Sequence, residues 1–442
     1  MAEIACKTAT KKSPFITSED WWSVYLGIFF LLLVFLAFAT HFANPDIIKN
    51  AMPVEWPKKD LVGHLISNLP AYILVYALLT VLTTIAARAM GENVLHYIAG
   101  FTVLFLGAFL VLILGSQQTL KHYGLEYPFW SLVLGLIIGN LLPLPRWLRA
   151  ASDHTEFYIK TGIVLLGAAL PFTTIVKGGI WGFLEAALII ATGFTTAFLI
   201  SRKLGLEREF AAVLGAGSSI CGVSAAIAVG CAIGADQKKV GYVASLVVLY
   251  ALGLIFLLPA LSRLLGLNDV VAGAWIGGSE LADAAGLAAA AMVSEKAVQV
   301  FTLVKLNRDV MVAIVAFILA IVAVTRWGNG QGETGRPGVG VIWERFPKFV
   351  LAFLVASLLS TYWVSTYGTA VNAHVIGNLN VLRTWLFTLA FLCIGLNTRF
   401  KDLKVEGIKP VIAFSTVVLV NVVMGFILSH LFFGGIIAQP IK

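Results

Sequence analysis

Charge is scarce in this chain. Asp, Glu, Lys and Arg make up 12% of its 442 residues, where a soluble globular domain carries about 25%. No soluble fold hides an apolar content of 59% with a mean hydropathy of +0.91, so the composition implies an integral membrane protein. Strict polar–apolar alternation is missing too, which excludes a transmembrane β-barrel with its ~10-residue alternating strands. Cysteine is rare: Cys6, Cys221, Cys231 and Cys393. None forms a C-x-x-C pair, so neither a zinc site nor a redox motif is indicated, and no cofactor is expected. No H-E-x-x-H or G-x-S-x-G motif occurs and the seven histidines are scattered. An intramembrane enzyme is therefore the weakest functional reading; it would need a base brought beside Cys221 by the fold. Basic tracts with interleaved aromatics are absent, so no nucleic-acid partner is expected. The net charge of +8 reads as Lys and Arg flanking membrane spans. The start, "MAEIACKTATKKSPFITSED", is not a signal peptide. Residues 1–21 read as a cytoplasmic tail and the apolar run after them as a retained helix.

What the chain does have is long apolar runs. A spanning helix needs ~20 apolar residues. Spans are predicted near 22–43, 69–88, 96–115, 128–143, 158–176, 181–200, 210–235, 240–262, 271–293, 300–325, 349–366, 381–398 and 410–433. The fold class is an all-α polytopic membrane protein of about 11–13 transmembrane helices. The weakest segments are 128–143, which is short, and 210–235 and 271–293, which are rich in Gly, Ala and polar residues. A cytoplasmic N-terminus places the larger share of the 31 basic residues inside, in modest agreement with the positive-inside rule. The Gly-rich stretch 327–347 reads as a flexible cytoplasmic connector.

Two stretches resemble each other. "VLLGAALPFTTIVKGGI" starts at Val164 and "LCIGLNTRFKDLKVEGI" at Leu392; Gly167, Phe172, Gly179 and Ile180 align with Gly395, Phe400, Gly407 and Ile408. Seven crossings apart, these helices would run in opposite directions, as in the inverted repeats of secondary transporters. The competing reading is coincidence in an apolar alphabet. Gly-x-x-x-Gly spacings at Gly135/Gly139, Gly178/Gly182, Gly230/Gly234 and Gly273/Gly277 predict tight helix packing.

The segment "LGAGSSICGVSAAIAVGCAIG", Leu214–Gly234, is poor material for a lipid-facing helix. Interior Gly costs roughly 1 kcal/mol relative to Ala. Non-helical backbone at membrane depth is tolerated only where it is buried in protein or lines a cavity. A break near Ser218–Gly222 would start a half-helix around Cys221–Val223, whose free N–H groups favour an anion, with Ser218 and Ser219 as added donors. The alternative is a straight helix whose small residues permit close packing.

The second unusual segment, "GAWIGGSELADAAGLAAAAMV", Gly273–Val293, carries Gly277, Gly278, Ser279, Glu280 and Asp283. Glu280 and Asp283, three apart, share a helical face. Intramembrane carboxylates are functional by default; this pair suits Na⁺ or a proton. The alternative is a solvated pair near an aqueous end. "FTLVKLNRDVMVAIVAFILA", from Phe301, puts Lys305, Arg308 and Asp309 at the head of a span. There the cations can neutralise Glu280 and Asp283, attract an anion, or snorkel to the interface. Glu185 is a further isolated acid.

Together, "GAGSSICGVSAAIAV", "GAWIGGSELADAA", "TLVKLNRDVM" and "IGLNTRFKDL" resemble the YeiH family of bacterial inner-membrane proteins, from about Ala150 to the C-terminus. That family carries a sulfate-exporter label. The resemblance implies inverted repeats with two broken or crossing helices, similar to sodium/proton antiporters and bile-acid symporters. It places Ser218, Ser219, Ile220, Cys221 and Gly222 at one break. It also implies a transporter core over 146–442, with 22–145 partly an extension. The chain departs from the family pattern at Leu281 and Ala282, where a His followed by an acid is expected; its acids stand instead at Glu280 and Asp283.

The function expected is a secondary active transporter of the bacterial inner membrane, with its N-terminus cytoplasmic and a homodimer as a further expectation. It would move a small anion (sulfate, sulfite, or an organic sulfonate or carboxylate) by alternating access, coupled to Na⁺ or H⁺. Ser218, Ser219, Ile220, Cys221, Gly222, Ser279, Lys305 and Arg308 would bind substrate, and Glu280 and Asp283 the coupling ion. A cation/proton antiporter without an anion substrate is the second reading.

Overall fold

A computed structural model describes residues 14–40, 46–122, 125–327, 343, 346–402 and 407–437. Most of the tail at 1–21 and of the connector at 327–347 lies outside the described residues. Among the described residues the regular structure is helical, apart from one isolated bridge between Trp56 and Gln117.

The main helices, in chain order, are α1 (Glu19–Thr40), α2 (Leu69–Met90), α3 (Val94–Gly115), α4 (Tyr127–Leu141), α5 (Thr155–Ala169), α6 (Phe172–Lys203), α7 (Arg208–Ser219), α8 (Val223–Ile233), α9 (Gln237–Leu264), α10 (Asp269–Ser279), α11 (Asp283–Val293), α12 (Glu295–Val322), α13 (Lys348–Tyr367), α14 (Gly377–Asn397) and α15 (Ile408–Phe433). Each predicted span has its counterpart. Segments 210–235 and 271–293 each form two half-helices, α7/α8 and α10/α11. Among the described residues, nine helical stretches are long and apolar enough to cross a membrane. Eight of them bury only 33–44% of their apolar window, which leaves Leu36, Val81, Leu110, Ile180 and Leu419 exposed. In water that surface would be prohibitive; in a bilayer it is the lipid contact. The chain is an all-α polytopic membrane protein.

The helices form two compact units. One comprises Lys11–Thr173 and Lys348–Arg399; the other includes Thr174–Pro347 and Phe400–Lys442. This division does not follow the linear split at 145/146, because helices from both sides of that point pack together in the first unit.

In that first unit α14 is the central helix, 83% buried over its apolar window. Trp385 of α14 stacks on Phe105 of α3 with centroids 4.3 Å apart. Gly135 and Gly139 of α4 lie against the α14 backbone at Leu392–Leu396, with no room for a Cβ. The predicted tight spacing at this pair is thus a backbone-to-backbone contact. Gly162 of α5 sits against the Phe387 ring of α14. The two mutually similar segments end α5 and α14, which belong to this unit, and each leads into a helix of the other unit, α6 and α15. The aligned Gly167 and Gly395 play one role: each lies against a neighbouring backbone, at Phe353 and at Leu132–Leu136.

In the first unit, His154 is the residue that precedes α5. Its Nδ1 is 2.6 Å from Glu19 Oε1 and its Nε2 is 3.8 Å from Glu92 Oε1. Burial pulls the imidazole pKa down, but Glu19, Glu92 and Asp153 together hold it above its ordinary value.

Candidate functional site

The second unit holds both helix breaks. α7 ends at Ser219 and α8 starts at Val223. Ser218 and Ser219 are still helical, so the break is Ile220–Gly222, narrower than the sequence suggested. Gly222 has φ 71° and ψ −124°, a conformation that a residue with a Cβ rarely adopts. A Cβ there would also meet Val247 Cγ1 at 2.8 Å and Leu281 O at 3.1 Å. The last contact shows that the two breaks touch.

The second break is Glu280–Ala282. It needs no glycine: Glu280 and Ala282 are ordinary extended residues. Gly277 and Gly278 remain helical, and their missing side chains make space instead. Gly277 accommodates Val304 and Phe301 O; Gly278 accommodates Ile189 and the Glu185 carboxyl.

Arg308 ties the breaks together. One guanidinium nitrogen donates to the carbonyls of Gly277 (2.7 Å), Gly278 (3.0 Å) and Glu280 (2.9 Å), and the other to Ser219 O (3.0 Å). Lys305, one turn earlier on α12, donates to Leu281 O at 3.0 Å and to Ile220 O and Glu280 O at 3.4 Å. Its Nζ is also 3.3 Å from Asp283 Oδ1. The first half-helix of each pair ends in unsatisfied carbonyls that carry about half a negative charge. Two buried cations capping both ends satisfy that charge and those acceptors at once.

Two sequence-based expectations are corrected here. α12 begins at Glu295 rather than near residue 300, so Lys305, Arg308 and Asp309 lie near the middle of this 28-residue helix, not at its head. All three are buried, so snorkelling does not describe them. Ser218 and Ser219 do not turn their hydroxyls outward. Ser218 Oγ donates to Leu214 O at 2.8 Å and Ser219 Oγ to Gly215 O at 2.5 Å, back into α7.

The N-terminal ends of the second half-helices differ. At α11, Glu280 Oε1 accepts from Leu281 N (3.0 Å) and Ala282 N (3.5 Å), and Asp283 opens the first turn. That positive end already has its own carboxylates. At α8 the first turn contains no acid and Gly222 supplies no side-chain cap. The second residue of α8, Ser224, is exposed. Ile220 is fully buried and Cys221 nearly so. Ser279 Oγ donates to Asn421 O of α15 at 3.4 Å.

All the site residues singled out in the sequence therefore meet around one point. Sequence reasoning missed Ser224, which stood in the quoted motif, and Asn421. Buried in α15, Asn421 donates from Nδ2 to Ser218 O at 2.7 Å. A lone Asn within an apolar span was the available signal. Acids outnumber cations here: Asp309, Asp283 and Glu280 act electrostatically on Arg308, and so does Glu185 from α6.

Two contacting helix breaks, clamped by mid-span cations and lined by acids, define a polytopic membrane protein with a polar centre built on discontinuous helices. More particularly, residues 99–414 match the family described as Conserved hypothetical protein 698, and the chain belongs to this family, that of the UPF0324 membrane proteins. It is 33% identical over 398 residues to the UPF0324 membrane protein of Rhodopirellula baltica, covering 88% of this chain and 73% of that one. A Nitrosomonas europaea relative is 30% identical, with 88% and 90% covered. The UPF0324 inner membrane protein YeiH of Escherichia coli is 26% identical, with 75% and 93% covered. The chain spans 62% of the length of a Nitratidesulfovibrio vulgaris relative that is 32% identical. No solved structure matches. The resemblance to the YeiH family is borne out, as is the location: a multi-pass protein of the inner membrane. α1 and α2 precede the matched region.

Proposed function

We propose that this protein is a secondary active transporter that moves a small anion (sulfate, sulfite, or an organic sulfonate or carboxylate) by alternating access. One observation carries the reading: of the two half-helix starts at the paired breaks, that of α11 carries Glu280, which accepts from the Leu281 and Ala282 N–H groups, and Asp283 in its first turn, and that of α8 has no acid in its first turn and no side-chain cap. A helix N-terminus with no side-chain cap of its own and an exposed hydroxyl at Ser224 suits an oxyanion. The α11 end, with its carboxylates, suits Na⁺ or H⁺. The Lys305 ammonium and the terminal guanidinium nitrogens of Arg308 are engaged by carbonyls, so in this reading they supply field to the anion rather than direct bonds. Ser279, on the Asn421 side, supports the break rather than the substrate.

The test is a thermal-stability screen of purified protein against these anions, with and without Na⁺, since a ligand that binds only the folded state stabilises it by mass action. The reading expects an anion-dependent rise in the unfolding midpoint and, in liposomes, loss of ion-coupled uptake in Glu280→Gln. Wild-type coupling in that variant refutes the coupling role. The excess of acids around Arg308 favours a second reading, a cation/proton antiporter. Flux driven by a Na⁺ or pH gradient with no such anion present separates the two.

A further inference from the structure

Glu185 has been counted so far only among the acids around Arg308. It lies within α6, is fully buried, and neither carboxyl oxygen has a hydrogen-bond partner. Its Oε1 occupies the place where a side chain on Gly278 would be, 2.7 Å from that Cβ position. The carboxyl is thus set against the turn of α10 whose Gly277 and Gly278 carbonyls bind Arg308. Arg308 is the charged group that acts on it, yet the two terminal guanidinium nitrogens point at carbonyls and Nε makes no bond. An ionised carboxylate buried with no donor costs several kcal/mol. If the position only required bulk, an apolar side chain would fill it without that cost.

We propose that Glu185 is a proton-binding site, distinct from Glu280 and Asp283, holding a proton while Arg308 is bonded to the two breaks. The exchange is balanced. When Arg308 leaves the Gly277 and Gly278 carbonyls, its guanidinium becomes the counter-ion of the Glu185 carboxylate and the proton passes to water. When Arg308 returns, the carboxylate takes a proton back. This deepens the transport reading by giving H⁺ a site behind the breaks, and only the coupling to transport rests on that reading.

The experiment is infrared spectroscopy of the purified full chain in lipid, in H₂O and D₂O, at neutral pH, comparing wild type with Glu185→Gln and Glu185→Asp. The amide keeps the shape and removes the proton; the shorter acid keeps a carboxyl and shifts its band. A protonated-carboxyl stretch present in wild type, absent in E185Q, moved in E185D and sensitive to D₂O is expected. A wild-type spectrum that loses no such band in E185Q, or a carboxylate band in its place that responds to added Na⁺, overturns the site. Should E185Q fail to fold, the wild-type and E185D spectra decide alone, an unshifted band between them being the contrary result. The coupling is read separately, from proton release on addition of sulfate. Release in wild type but not in E185Q is expected. The same release in both refutes the coupling while leaving the resting band intact, so failure of the site and failure of the transport reading are distinguishable.

Discussion

Arg308 and Gly222 solve opposite problems at the same place. Gly222 lets the chain turn from the break into α8; Arg308 satisfies the carbonyls left at the ends of α7 and α10. Only a planar fork reaches Ser219 O and the Gly277–Glu280 carbonyls together, and a single ammonium does not reproduce it. Arg308→Lys should cost about 1.5–3 kcal/mol, read as a lowered unfolding midpoint in detergent; an unchanged midpoint contradicts the clamp. Gly222→Ala forces a Cβ toward Val247 and Leu281 at positive φ, and a loss of about 1–3 kcal/mol is expected by the same measurement. His154 yields a pH dependence. Its folded pKa lies above the unfolded value, which is about 6.5. The stability it contributes is fully present below that value and is lost as pH rises through the folded one. Thermal midpoints of wild type and His154→Gln should therefore differ at acidic pH and converge at alkaline pH. A gap that widens with pH reverses the assignment.

At the scale of elements, both broken helices were legible as anomalies because glycine and polar residues stand out in an apolar span. Their exact breaks were not. In the first segment the break falls at Gly222, the residue that needs positive φ. In the second, Gly277 and Gly278 looked like the break but are helical, and the chain turns at Glu280–Ala282 in ordinary extended geometry. Glycine serves conformation in one case and space in the other, and sequence alone does not distinguish them. The start of α12 was misplaced because Glu295, Lys296 and Gln299 look like loop; Ser294, whose Oγ accepts from Ala297 N at 3.1 Å, caps the helix there. The bare end of α8 makes a prediction at this scale. Ser224→Asp supplies the missing acid and should weaken anion binding by about tenfold, whereas Ser224→Asn should leave it near wild type. Calorimetric titration with the anion found in the screen checks both; equal affinities would remove α8 from the site.

For the whole molecule, helix number followed from apolar run length, because lipid demands it. The grouping of helices did not, since lipid gives sequence no pattern for choosing one apolar neighbour over another. The exceptions are the small residues. Gly135 and Gly139 announced a close contact, though not that Leu392–Leu396 of α14 would make it.

The mid-span charges of α12 have a consequence for the order in which the protein is made. Each of Lys305, Arg308 and Asp309 opposes entry of α12 into lipid, by about 2.5–3.5 kcal/mol on insertion scales. The groups that bond Lys305 and Arg308, from Ser219 to Asp283, are all synthesised earlier. The two interrupted helices therefore offer the cations of α12 their acceptors as it enters the bilayer. A ribosome-tethered chain that has both interrupted segments should retain α12 in the membrane. One whose first interrupted segment is replaced by polyleucine should let it slip out.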